Sequence, residues 1–200
     1  RSATAVITAA APLVRGGLVD GALVVCAGSG VTGAGRSADE ALSLGEMYGE
    51  VRAYKVLRHQ HVPEIEAALA RVAPAGAPAP RVVLTTHLLP VARGIFGTLT
   101  ARLTRALSTE ELAARYHADF GDDPAVELAA SAEQVSLRRV VGTARCLIGV
   151  ASEGTAGGHA VVTVALDNLL RGAASQAIEN LNLVLGLPRM TGLAHLARHA

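Results

Sequence analysis

His159-Ala-Val-Val-Thr-Val-Ala-Leu166 runs straight into Asp167-Asn-Leu-Leu-Arg-Gly-Ala-Ala-Ser-Gln-Ala-Ile-Glu-Asn-Leu-Asn182. The first stretch is apolar almost without a break, as in a strand buried on both faces, and is expected near the middle of a sheet. The second opens on two capping residue types and is expected to be helical from Asp167 through Leu185, where Gly186 and Pro188 close it. Just upstream, residues 135–141 and 146–151 read as two more strands, so three strands follow one another with no helix between them. Farther back, residues 22–27, 51–57, 81–86 and 95–103 are strand-like, with Ile95, Gly97, Leu99, Ala101 and Leu103 alternating in the last. Ser2 is placed to cap a helix carrying Val6, Ile7, Ala10, Leu13 and Val14, which Gly16-Gly17 stops. Pro63 reads as the first residue of another helix, continued by Ile65, Leu69 and Val72. Ser108-Thr-Glu-Glu111 is a capping box that opens a helix to about Ala118. Helices and strands mixed without strict alternation predict an α+β fold on a mixed, largely antiparallel sheet.

Composition narrows the function. Half of the 200 residues are apolar and 18% are charged, enough to bury a core and too apolar for disorder. Eighteen basic side chains against 17 acidic ones leave +1, which provides no general field for nucleic acid or an anionic membrane. With three Tyr, two Phe and no Trp, stacking platforms for bases or sugars are not expected either. Cys26 and Cys146 lie far apart with no CxxC, so the default setting is reduced and cytoplasmic. No apolar run approaches the roughly 20 residues of a bilayer span. The chain opens on Arg1, already in helical pattern and without a signal-peptide pattern, and is therefore expected to be a piece of something longer. Residues 74–80, PAGAPAP, read as a surface loop rather than a domain boundary.

Four features carry chemistry. Gly28-x-Gly30-x-x-Gly33 after a strand formally matches a dinucleotide-binding turn. That turn needs a carboxylate at the end of the next strand, which here reads Lys55-Val-Leu-Arg-His59, so a Gly-rich active-site or structural turn is the better reading. His59 and His61 are two apart; in an extended segment both rings leave one face, suited to acid/base work, to a metal with His87 as a conceivable third ligand, or to a plain structural role. Arg93 presents a guanidinium either to a carboxylate or phosphate or simply to solvent. Asp167 and Asn168 read first as helix caps, and both cysteines as core.

Taken together, Ser29-Gly-Val-Thr-Gly-Ala-Gly-Arg36, His59-Gln-His-Val-Pro-Glu-Ile65, Pro90-Val-Ala-Arg-Gly-Ile95 and residues 165–182 followed by Leu185-Gly-Leu-Pro188 resemble the C-terminal part of the N-acetyl-gamma-glutamyl-phosphate reductases. Thr32 stands for the usual Ser of the first motif, Ala144 for a usual Asn, and Leu147 for a usual Asp. The resemblance implies a glyceraldehyde-3-phosphate-dehydrogenase-like catalytic domain with helices on one face of its sheet, over residues 1–165. Residues 166–200 would then be a closing helix and tail that pack on a Rossmann domain outside this chain. It implies NADPH-dependent reduction of N-acetyl-gamma-glutamyl phosphate to the semialdehyde with loss of phosphate, in arginine biosynthesis, through a cysteine thioester. Residues 1–5 resemble those following that cysteine, which would sit immediately before Arg1. By the same resemblance His61 is the acid/base partner, His59, Arg93 and Tyr54 bind substrate, and Ser29, Gly30 and Asn168 lie near NADP. No metal is implied; the partners are a small acyl phosphate and further copies of the chain, in a cytoplasmic homo-oligomer. A sister reductase acting on a carrier-bound aminoadipyl or glutamyl phosphate, and an inactive binding or oligomerisation fragment, stay open beside it.

Overall fold

Residues 2–35, 40–78 and 80–194 are described by the computed structural model; Arg1 and Arg36, both parts of the motifs above, lie outside them. The strands are Ala22–Gly30 (β1), Arg52–Tyr54 (β2), Arg81–Leu89 (β3), Ile95–Arg102 (β4), Val126–Leu128 (β5), Cys146–Ser152 (β6) and His159–Leu166 (β7). They form one sheet in the order β2-β3-β1-β4-β7-β6-β5. The pairs β1–β3 and β5–β6 are parallel and the other four antiparallel, as a mixed, largely antiparallel sheet requires. The apolar run of β7 is an interior strand, flanked by β4 and β6.

The helices are Ser2–Arg15 (α1), Leu44–Met47 (α2), His61–Ala70 (α3), Thr109–Phe120 (α4) and Ser175–Val184 (α5). Helices α1, α3 and α4 cover one face of the sheet. Period-two alternation sends Leu99 and Ala101 of β4, and Val162 and Val164 of β7, into that layer, where they meet Leu13, Ile65 and Leu69. Each such large aliphatic side chain contributes about 1.5–3 kcal/mol by leaving water. The capping box at Ser108 and Glu111 forms in full and starts α4.

The second face is covered only in part among the described residues. Residues 129–140 cross β6 and β7, where Val135, Val140, Leu147 and Ala165 make a small second core with Phe96 and Leu137 packed on it. Gly149 admits this crossing, since a Cβ there would stand 2.4 Å from the Ser131 carbonyl oxygen. Leu147 and Ala144, the two apolar departures from the resemblance noted above, are both buried. Toward β1, β3 and β4 the same face is open, and Val24 is 52% exposed.

Three expectations are corrected. Residues 135–141 are not a strand: they contain a 3-10 turn at Leu137–Arg139, and Val135 and Val140 are buried because the segment crosses the sheet, not because it pairs with it. The expected strand at 51–57 shrinks to β2, because Lys55 and Leu57 turn left-handed at φ 48° and 56°. The closing helix does not start at Asp167. A π-helical stretch, Leu170–Ala174, comes first, with Gly172 N–H donating to Asp167 O and Ala174 N–H to Leu169 O, and α5 follows.

Helix α5 is inverted relative to an ordinary surface helix. Its polar side chains Ser175, Glu179 and Asn182 are buried, whereas Ile178, Leu181 and Val184 are exposed. Buried charges hold the polar side down: Glu179 bonds Arg171 and lies 3.2 Å from Arg189 Nε, and Arg189 also pairs with Asp123.

Candidate functional site

Where β1 ends and α1 and α3 begin, the chain leaves a cavity of about 700 Å³. Six of the seven site residues expected from the sequence line it: Ser29, Gly30, Tyr54, His59, His61 and Asn168. A second hollow, about 620 Å³ beside Val14, Pro74 and Pro80, has Arg81 as its one ionisable lining residue, so the chemistry concentrates in the first.

The Gly-rich turn brings β1 to the rim. Gly30 lies so close to the loop after β3 that a Cβ would stand 2.8 Å from the Ala92 carbonyl oxygen. Its N–H donates to Gly94 O at 2.8 Å, and the Thr32 hydroxyl donates to Ala92 O. Only a four-residue 3-10 turn, Val31–Ala34, follows, so the dinucleotide-turn geometry of strand into α-helix is not formed here.

The two histidines meet, though not by the expected route. The segment is not extended: Gln60 is helical and His61 is the first residue of α3, which places Pro63 at the third position, still within the turn that lacks backbone partners. The His61 backbone N–H donates to His59 Nδ1 at 3.2 Å, and the two rings lie 4.6 Å apart. His59 thus caps α3 through its unprotonated ring nitrogen. Burial, reinforced by the positive charge of Lys55, lowers the His59 pKa and keeps the ring neutral. Tyr54 packs edge-on to His59 at 5.7 Å, and its half-burial raises the phenol pKa.

On the other side of the cavity, Ser2 is inside α1 rather than before it, and its hydroxyl hydrogen-bonds His61 Nδ1 at 2.7 Å. This partner was not read from the sequence, where Ser2 served only as a cap. The signal was slight, since nothing in the local pattern links residues 2 and 61.

Arg93 is the site residue that the structure does not bring to the cavity. Its Nη2 lies 2.8 Å from the buried Asp167 Oδ2. Asp167 also accepts from the backbone N–H groups of Gly142, Leu169 and Leu170 at 2.8, 2.9 and 3.0 Å. Asn168 Oδ1 accepts from Gly94 N–H and its Nδ2 donates to Thr32 Oγ1, so both ends of the amide already tie loops together. Among the described lining residues, the cation is Lys55, the sole lysine of the chain. Neither cysteine approaches the cavity. Cys146 is in the core, where burial pushes its pKa up to about 12, and Cys26, expected in the core, instead faces the open side of the sheet, 3.6 Å from His87.

Comparison with known proteins bears on this arrangement. Residues 2–168 match the family model of the semialdehyde dehydrogenase dimerisation domain. The chain belongs to that family. The domain is 38% identical over 97% of its length to N-acetyl-gamma-glutamyl-phosphate reductases of two Bacillus cereus strains, AH187 and Q1. It spans about half the length of these curated relatives, 55%, which bears out the resemblance to their C-terminal part. Aspartate semialdehyde dehydrogenase II from Vibrio cholerae superposes with a TM-score of 0.68 at 16% identity, over 90% of this domain and 59% of that chain. The aspartate semialdehyde dehydrogenase of Francisella tularensis gives 0.68 at 16% identity, over 92% and 63%. At such identity the likeness concerns the fold of this semialdehyde dehydrogenase domain: a seven-stranded mixed sheet with helices on one face.

Proposed function

We propose that this chain is the catalytic and subunit-contact domain of an NADPH-dependent acyl-phosphate reductase that converts N-acetyl-gamma-glutamyl phosphate to its semialdehyde and releases phosphate, in arginine biosynthesis. The observation that carries the reading is the His59–His61 pair at the head of α3, lining one cavity with Ser29, Gly30 and Asn168 in a chain 38% identical to reductases of that name.

The work falls to a few groups. His61 has a ring nitrogen beyond the one held by Ser2, and it takes and returns the proton that nucleophilic attack and aldehyde formation require. His59 and Tyr54 form the wall against which the substrate lies. The small residues Ser29, Gly30, Gly33 and Gly172 leave room for a flat ring to approach. This fits a nicotinamide, which supplies hydride when bound. Asn168 has one amide hydrogen left beyond its bond to Thr32, enough for a single contact to that ring. A small free substrate is favoured over a carrier-bound one, because Lys55 is the only Lys or Arg among the described lining residues and an acidic carrier calls for a basic patch. Arg93, held by Asp167, supports the loop beneath the cavity in this reading instead of holding substrate.

Two further surfaces complete the proposal. The apolar side of α5 meets a nucleotide-binding domain in the intact protein, and the open sheet face around Val24 meets a second copy of the chain. The deciding experiment measures phosphate-dependent NADP reduction by the intact protein with N-acetylglutamate semialdehyde. Turnover that requires phosphate supports the reading. No turnover with a folded, NADP-binding protein rejects it.

A further inference from the structure

We infer that Lys55 is the anion-binding group of the cavity, and that its anion is the phosphoryl group of the substrate, or inorganic phosphate in the reverse direction. The inference rests on the acyl-phosphate reading for the identity of the anion, while the place of the cation is geometric. Tyr54 and Lys55 are consecutive, the last residue of β2 and the one after it, and both line the cavity. A continued strand would send them to opposite faces of the sheet. Lys55 is instead left-handed, at φ 48°, which ends the pleat and lets both residues meet one hollow. A residue other than glycine keeps this conformation only where its neighbours fix it. Here the buried Thr86 hydroxyl donates to Tyr54 O at 2.6 Å, and Arg58 N–H donates to Lys55 O at 3.0 Å.

The charge is unopposed. The ion pairs among the described residues are made by arginines and His159, and Lys55 is in none of them. No Asp or Glu is among the described lining residues. Burial first, and then the Lys55 charge, holds His59 neutral, so that charge is felt inside the cavity. Arg93, the other cation expected to hold an anion, is taken by Asp167. A lysine ammonium is a point charge with three donors, without the planar fork that grips the two oxygens of a carboxylate. It suits the more strongly charged, three-oxygen phosphoryl group. Lys55 is exposed, so the anion lies at the mouth of the cavity, where released phosphate has a way out.

The test uses the intact protein and reads binding before activity. Inorganic phosphate is titrated and followed by phosphorus NMR line widths, with N-acetylglutamate as a probe that carries carboxylates alone. Lys55→Asn removes the charge but suits the left-handed turn, since Asn adopts that conformation readily; an unchanged urea midpoint confirms that the fold is kept. This variant binds phosphate about 5- to 20-fold more weakly, the range of one lost charge-assisted contact near the surface. Its affinity for N-acetylglutamate is little changed. Lys55→Arg, which keeps the charge, restores most of the phosphate affinity. In turnover, the KM for phosphate rises in Lys55→Asn by the same factor as the dissociation constant, and the KM for NADP does not. Phosphate binding that is absent in wild type, or equal in wild type and Lys55→Asn, overturns the inference whatever the activity. A larger loss for N-acetylglutamate than for phosphate overturns it too, because Lys55 would then hold a carboxylate. Lys55-dependent phosphate binding in a protein that reduces no acyl phosphate leaves the subsite established and instead rejects the reductase reading.

Discussion

His61 has three distinct attachments in view: a backbone N–H on His59, a ring nitrogen on Ser2, and a helix that begins at its own residue. If its ring moves the proton, as proposed above, His61→Ala in the intact protein lowers turnover by about 10²–10⁴-fold, the usual range for a lost general acid or base; a steady-state assay checks it. His59 contributes differently. Its pKa is lowered in the folded state, so near neutrality both folded and unfolded chains carry it uncharged and its α3 cap is intact. As pH falls below the ordinary value of 6.5, the unfolded chain takes up a proton that the folded one resists, and stability declines until the folded pKa is passed. His59→Asn keeps an acceptor but no titrating ring. Urea midpoints at pH 7.5 and pH 5 should therefore differ less in this variant than in wild type. Asp167, with no exposed side-chain surface and four donors around it, is the structural counterpart. Asp167→Ala leaves those donors and the Arg93 charge unpaired and is expected to cost about 3 kcal/mol in urea unfolding.

At the scale of elements, two close approaches decide where the cavity lies. The end of β1 touches the loop after β3 at Gly30, whose missing Cβ leaves room for the Ala92 carbonyl. Gly30→Ala forces backbone against backbone and is expected to destabilise the chain by about 1–3 kcal/mol in urea unfolding; if the proposed reductase reading holds, it also weakens nucleotide binding in the intact protein, seen by calorimetry. The π-helical stretch before α5 is the other. It lets Asp167 and Asn168 leave the helix and bond Gly142, Gly94 and Thr32, while still delivering the chain to α5. A regular helix from Asp167, as the sequence pattern predicted, would have spent both side chains on capping alone.

Over the whole molecule, the apolar surfaces uncovered among the described residues include the outer side of α5 and the sheet face over β1 at Val24. A chain with Ile178, Leu181 and Val184 outward and Glu179 inward is shaped to be covered there. Hydrophobic-dye titration should therefore show more bound dye on this chain alone than on the intact protein. If the other face is the subunit contact, Val24→Arg places a charge in its middle and shifts sedimentation toward the monomer without lowering the urea midpoint.

Local patterns sufficed for the α+β class, for the alternation of β4, for β7 as an interior strand and for the capping box of α4, because each depends on residues within a few positions of one another. Of the seven site residues that the resemblance marked, six line the one cavity, Ser29, Gly30, Tyr54, His59, His61 and Asn168, five of them within short motifs. Local patterns failed at residues 135–141, where apolar side chains serve a crossing instead of a pleat, and at His59–His61, where the turn of a helix and not a strand brings the rings together. The Arg93–Asp167 pair and the Ser2–His61 bond join positions 74 and 59 residues apart along the chain. Such contacts form when the sheet orders its strands and α1 lies over it. Folding thus turned Arg93 away from the cavity and set Ser2 against its histidine, for a contact between distant residues depends on the packing of whole elements and leaves no periodic trace in either segment.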